Sequence, residues 1–197
     1  MNSDMSGMKS SSDSVEKTVL VIGVGAAGLL SLTPDILARI AQADQLWGGK
    51  RQLAGWESHP AEKIVIGADI ALRVHELEHR GDKRVVILAS GDPGFYGIVS
   101  TLLRVLPAHD IEVIPHVSSL QLAFARVGVD WNEATLTSAH SRPLSEVVGW
   151  AKRARKMGIL TDHQNTPALI ARTLLDAGLD DCRAVVGENL GLADERI

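Results

Sequence analysis

Continuous apolar runs, rather than alternating ones, mark the strands of this chain. Residues 18–24, ending Leu20-Val21-Ile22-Gly23-Val24, and residues 85–89, Val85-Val86-Ile87-Leu88-Ala89, are rich in β-branched types. Such runs predict strands buried on both faces, as in a parallel sheet. Shorter runs at 45–47, 64–66 and 111–114 predict three more strands, and 134–137, 158–161 and 183–186 a second set. Helical periodicity fills the intervals. Thr33 as N-cap with Pro34 at the first helical position starts one helix, and Thr166 with Pro167 repeats the device for a helix running to Ala177 before Gly178. Ser118 or Ser119 caps a helix through Val127, with Leu120, Ala123, Phe124 and Val127 on one face and Gly128 as its stop. Residues 69–80, 98–106 and 144–156 complete the set of expected helices.

The alternation predicts an α/β fold of two domains, residues 18–115 and 116–197, with Pro115-His116-Val117-Ser118-Ser119 crossing between them. Residues 1–17 are Ser-, Met- and Asp-rich, without the apolar core of a signal peptide, and read as a disordered lead-in. Glu195-Arg196-Ile197 reads as the start of one more strand. The second domain is therefore expected to lack its last strands, and the chain to be a fragment or one module of a longer polypeptide.

Composition narrows the function classes. The 197 residues are 45% hydrophobic and 22% charged, with a net charge of -4 and a pI near 6.0. That balance argues against a nucleic-acid binder, which usually carries a basic surplus. No run approaches the roughly 18 apolar residues of a membrane span. Cys182 is the only cysteine, so no intrachain disulfide framework or cysteine-based metal cluster is expected, and a reducing cytoplasm fits. Cys182 reads as an ordinary thiol at the start of a strand, or less readily as a nucleophile. His75-Glu76-Leu77-Glu78-His79 matches the zinc-protease pattern H-E-x-x-H. Ile70, Val74 and Leu77 form the apolar stripe of that helix, which turns both histidines to solvent, and no metal is expected.

The candidate chemistry lies in the loops that follow the apolar runs. Gly23-Val24-Gly25-Ala26-Ala27-Gly28 matches the dinucleotide fingerprint G-x-G-x-x-G. In a dinucleotide site the glycine turn opens directly onto a helix and the second strand ends in a ribose-binding carboxylate. Here Leu29 to Leu32 intervene, and Asp44 precedes the second strand instead. An NAD(P)-dependent oxidoreductase remains an alternative on this loop alone. Gly48-Gly49-Lys50-Arg51 puts two cations on a glycine turn, which reads either as a solvated turn or as an anion contact. Ser90-Gly91-Asp92-Pro93-Gly94-Phe95-Tyr96-Gly97 follows the strongest strand, at the carboxyl end where open α/β sheets place ligands.

Taken together, Gly23-x-Gly25-x-x-Gly28, Leu32-Thr33-Pro34, Gly48-Gly49-Lys50-Arg51, Ser90-Gly91-Asp92-Pro93-x-Phe95-Tyr96-Gly97, Ser118-Ser119, Ser138-Ala139-His140-Ser141-Arg142-Pro143, Thr161-Asp162-x-x-Asn165-Thr166-Pro167 and Gly187-Glu188-Asn189-Leu190-Gly191 resemble the tetrapyrrole (corrin/porphyrin) methylase family. The resemblance is closest to its C5-methylating branch, and Ala26 departs from the proline common there. It implies two α/β domains with the cofactor cleft between them. It also implies transfer of a methyl group from S-adenosylmethionine to C5 of a precorrin macrocycle in cobalamin biosynthesis, with S-adenosylhomocysteine as product.

Carried over by loop, the resemblance implies that Ser90, Gly91, Asp92 and Phe95 line the methionine portion. Ser118 and Ser119 contact it from the crossover. Thr161, Glu188, Asn189 and Leu190 flank the adenine side, and Gly25 and Ala26 face the cofactor rim. Lys50, Arg51 and Arg142 are candidate contacts for the substrate carboxylates. His140 or Tyr96 would assist proton removal. A homodimer and a fused or separate C15-methylating, decarboxylating domain are further implications. The remaining alternative is a non-catalytic cofactor-binding module of a larger enzyme.

Overall fold

The computed structural model describes residues 19–67, 69–140 and 142–197. The lead-in, Thr18 and Ser141 lie outside the described residues. A five-stranded sheet is built from β1 (Val19–Val24), β2 (Gln45–Gly48), β3 (Glu62–Val65), β4 (Val85–Ser90) and β5 (Ile111–Ile114). Its order is β3-β2-β4-β1-β5, and every pairing is parallel.

The pleat sorts the apolar runs onto two faces. Leu20, Ile22, Leu46, Val86 and Leu88 face one layer, where α1 (Pro34–Ile40) contributes Ile40 and α2 (Lys50–Leu53) contributes Leu53. Val19, Val21, Trp47, Val85 and Ile87 face the other, against Val74, Leu77, Leu102 and Leu106. Burial on both faces explains why these strands are continuous apolar runs. The connection leaving β1 runs one way along the sheet to β2, and that leaving β4 runs the opposite way to β5. Their adjacent carboxyl ends therefore form a topological switch point, where such sheets leave a crevice.

A second, two-stranded parallel sheet joins β6 (Thr135–Ser138) and β7 (Met157–Leu160). It carries α5 (Ser119–Val127), α6 (Leu144–Ala151) and α7 (Pro167–Asp176). Its buried apolar cluster is small: Ala139, Val147 and Ile170. The caps expected in this half are in place, whereas Thr33 stands at the N-cap position of α1 with its hydroxyl donating to Asp35 instead of capping. Ser118 and Gln121 form a reciprocal capping box on α5, Gly128 ends it at φ 67°, and the Thr166 hydroxyl accepts the Leu169 N–H at 3.2 Å.

Several elements differ from the sequence expectation. Residues 69–80 split into α3 (Ile70–Arg73) and a 3-10 helix, Val74–His79. Three residues per turn keep Val74 and Leu77 stacked on the sheet, and both are fully buried. The helix expected over 98–106 is one turn, α4 (Val99–Leu102), since Pro107 disfavours helical backbone at Leu106. The helix expected to reach 156 stops at Ala151, before Lys152, Arg153, Arg155 and Lys156, which offer no apolar face. Gly49 caps a helical turn at Lys50–Leu53 where a glycine turn was expected.

The strand expected at 183–186 does not form. It has no hydrogen-bonded neighbour, and Val185 and Val186 are exposed. Cys182 is exposed and begins no strand. Of the last strand there is one antiparallel bridge, Glu188 to Arg196.

Candidate functional site

A cavity of about 520 Å³ opens at the β1/β4 switch point and extends to the ends of β6 and β7. Its floor is backbone. The Gly91 N–H donates to Val24 O at 3.0 Å, and Gly91 O accepts the His116 N–H at 3.1 Å. This places the ends of β1 and β4 and the exit of β5 around one peptide. Gly91 sits at φ +59°, and a Cβ there would lie 3.2 Å from Ser118 Cα. Gly23 is tighter: a Cβ would fall 2.0 Å from Gly91 O and 2.4 Å from the His116 nitrogen. The first glycines thus close strand ends onto one another. The fingerprint leads into a 3-10 turn, Gly28–Ser31, and α1 begins only at Pro34, so no helix N-terminus stands ready for a pyrophosphate.

Most of the sequence-predicted residues meet at this cavity. Gly25 and Ala26 line it from the first loop, and Ser90, Gly91, Asp92, Phe95 and Tyr96 from the loop after β4. Ser118 and Ser119 line it from the start of α5, Thr161 and His140 from the loops after β7 and β6, and Asn189 and Leu190 from the C-terminal segment. Arg51 reaches it from α2, where its Nη2 donates to Ser90 Oγ at 3.0 Å. Gln52 Nε2 donates to the same oxygen at 2.7 Å. Two donors thus converge on the Ser90 oxygen and leave its hydroxyl proton free to serve as a donor. The Asp92 carboxylate accepts the Gly94 N–H at 2.8 Å, which holds the turn.

Three predicted residues stand elsewhere. Lys50 lies on a separate shallow groove with Leu53, Glu57, Lys63 and Val65, because the turn of α2 sends neighbouring side chains in different directions. Glu188 is occupied in its backbone bridge to Arg196 and does not line the cavity. Arg142 is outside the lining, with its guanidinium 4.9 Å from the Tyr96 ring centroid and 3.7 Å from Glu146. Tyr96 itself holds φ 51°, unusual for a bulky residue. His75 and His79 are exposed, with His75 Nδ1 3.0 Å from Glu78. Among the described residues no group of three or more His, Cys, Asp or Glu is placed to hold a metal ion.

Sequence reasoning missed Val117, Leu122, Ser138, Leu160 and Leu192 in the lining. Ser138 opens a quoted motif without having been singled out, whereas the four apolar residues sit beside motif residues and give no chemical signal of their own. It also missed the partner of His140. Asp162 Oδ2 lies 3.4 Å from His140 Nδ1, and the Asp162 side chain is 5% exposed against 67% for the histidine.

A family model described as Tetrapyrrole (Corrin/Porphyrin) Methylases matches residues 18–197. The chain belongs to the tetrapyrrole methylase family. Among curated relatives, the cobalt-precorrin-7 C(5)-methyltransferase of Salmonella typhimurium is 40% identical over 177 residues, covering 90% of this chain and 87% of that protein. The precorrin-6Y C(5,15)-methyltransferase [decarboxylating] of a Sinorhizobium species is 33% identical over 93% of this chain, which spans 45% of that longer protein.

Solved structures of tetrapyrrole methylases share the fold. The cobalamin biosynthesis precorrin-6Y methylase of Archaeoglobus fulgidus superposes with a TM-score of 0.68 at 24% identity, covering 91% of this chain and 87% of that one. The uroporphyrin-III C-methyl transferase of Thermus thermophilus, complexed with S-adenyl homocysteine, superposes with a TM-score of 0.64 at 22% identity, covering 90% and 80%. No helix among the described residues is long and apolar enough to cross a membrane.

Proposed function

We propose that this methylase transfers a methyl group from S-adenosylmethionine to C5 of a precorrin macrocycle of the precorrin-7 type, in cobalamin biosynthesis. The observation that carries the reading is the 40% identity over nearly the full length of a relative named for that one reaction. The composition of the cavity supports the cofactor. Serine and threonine hydroxyls and the Asn189 amide suit the polar ribose and amino-acid ends, while Val117, Leu122, Leu160 and Leu190 suit a flat purine. Among the described residues Arg51 is the only arginine or lysine on the lining, and it already donates to Ser90. Two phosphates of a dinucleotide would find little here.

The reading extends to a cofactor cleft between two α/β domains, 18–115 and 116–197. It is supported by the separate apolar clusters under the two sheets. When bound, the cofactor supplies a methyl already activated on a sulfonium, so the protein's task is orientation and exclusion of water. Ser90, Ser118 and Ser119 hold the amino-acid end in this reading. Asn189 and Leu190 cover the adenine, and Arg51 and Arg142 meet substrate carboxylates. A homodimer belongs to the same reading, with exposed Val127, Val129 and Trp131 available to a second copy. So does a cytoplasmic location, with the C15 chemistry residing on another domain or chain.

Calorimetric titration with S-adenosylhomocysteine, with NAD⁺ and NADP⁺ in parallel, tests the cofactor. Micromolar binding of the homocysteine compound alone is expected. Binding of a dinucleotide alone overturns the reading. Conversion of cobalt-precorrin-7 to a C5-methylated product then separates an enzyme from a binding module.

A further inference from the structure

Asp162 has no role in the reading above, yet its nearly buried carboxylate is engaged at both oxygens. Its Oδ1 accepts the N–H of Gln164 at 2.9 Å and of Asn165 at 2.6 Å, which fixes the carboxylate plane. Its Oδ2 is thereby set 3.4 Å from His140 Nδ1. The histidine's own loop is pinned on both sides. Ser138, itself buried, accepts the His140 backbone N–H at 3.1 Å, and Asn165 Nδ2 donates to Ala139 O at 2.6 Å and Arg142 O at 2.9 Å. The residues after β6 and those after β7 thus converge around one imidazole at the edge of the cavity.

We propose that Asp162 is a positioning residue. It keeps the proton of neutral His140 on Nδ1 and leaves Nε2 as the base that receives the proton shed by the methylated macrocycle. The inference rests on the methyltransferase reading. In that reaction the macrocycle carbon forms the new C–C bond with its own electron pair while the C–S bond breaks and its pair stays on sulfur. The macrocycle is then one positive charge richer and must lose a proton to restore its conjugation. His140 Nε2 takes that proton and passes it to solvent, to which the ring is open.

Among the described lining residues His140 is the one imidazole, with a ring nitrogen able to accept a proton. The other ionisable groups on the lining are Arg51, Asp92 and Tyr96, and Asp162 stands behind the histidine. Only Asp162 faces Nδ1 at ion-pair distance. An aspartate behind a histidine is a general means of choosing its tautomer.

Asp162→Asn gives a selective test. The amide oxygen still accepts the Gln164 and Asn165 N–H groups, so the loop survives. The amide nitrogen, however, presents a donor to Nδ1 and moves the ring proton to Nε2. Nitrogen-15 NMR of the histidine rings, assigned with His140→Asn, should show protonated Nδ1 in the wild type and protonated Nε2 in D162N. With cobalt-precorrin-7, D162N should lose about 100-fold or more in kcat. Its KM and S-adenosylhomocysteine affinity should be unchanged, and the limb of the kcat/KM pH profile that reports His140 should vanish. H140N should fall by a similar factor, and the double variant no further. An unchanged tautomer, with activity within twofold of wild type and cofactor binding intact, overturns the role of Asp162 alone. Absence of S-adenosylhomocysteine binding by the wild type overturns the methyltransferase reading beneath it.

Discussion

Gly23 shows how a familiar motif can have a purpose different from the one its pattern advertises. Its missing side chain makes room for the Gly91 and His116 backbones, 2.0 and 2.4 Å from where a Cβ would stand. Gly23→Ala therefore cannot be absorbed by a side-chain rotation. It should cost on the order of 3 kcal/mol or more in urea unfolding and abolish cofactor binding. Gly28, with open space around it, should accept alanine with only the cost of its positive φ, roughly 1 kcal/mol. A dinucleotide site would give a different ranking, since its glycines face the ligand. The residue-level signals visible in the sequence were those with a backbone cause: the two Thr-Pro starts, the Ser118 cap, Gly128 and the Ser90–Gly97 loop. Asp162 was passed over because its meaning lies in a neighbour 22 positions away on another strand end.

At the level of elements, the sheet was readable and the second half less so. Strands β1 and β4 announce themselves because burial on both faces demands unbroken apolar runs. Residues 183–186 share only the Val-Val pair with those runs, and a strand exists only with a neighbour to receive its hydrogen bonds, which is not a local property. The segment lies instead as an extended lead to a C-terminal strap. Arg126 on α5 donates to Glu195 at 2.5 and 3.2 Å, and Glu195 also accepts the Gly191 N–H at 2.6 Å. The Arg126 hydrogen bond, with the Gly191 N–H, holds the Glu195 carboxyl below its usual range.

A lowered carboxylate contributes its tie above that range and loses it as pH falls through the lowered value. Between about pH 6 and 8 the strap should therefore be insensitive to pH. Arg126→Ala should weaken S-adenosylhomocysteine binding severalfold by calorimetry, because Asn189 and Leu190 ride on the strap, while the melting temperature barely moves. Thr166→Ala is the converse case: it should cost about 1 kcal/mol of stability through the lost cap of α7 and leave cofactor affinity unchanged.

For the molecule as a whole, the apolar interior is unevenly shared. The five-stranded sheet has two extensive buried clusters, whereas the apolar cluster of the two-stranded sheet holds only three buried residues among those described. Amide hydrogen exchange should consequently show β1 and β4 protected to the global limit and β6 and β7 opening at lower free energy. S-adenosylhomocysteine should raise protection chiefly in β7 and α5, since it would tie the weaker half to the stronger. Uniform protection of both sheets without ligand would contradict this division.

The position of β1 also has a consequence in time. It leaves the ribosome ahead of both strands it pairs with, which begin at Val85 and Ile111, and every one of its residues is buried. At ordinary synthesis rates its Val-Leu-Val-Ile stretch waits roughly 3–13 s before even its first edge can be covered. The segment that ends at the cavity is thus the one longest exposed to wrong partners. Yield in the cell should depend on chaperone shelter of the nascent N-terminal third more than on the final stability of the enzyme.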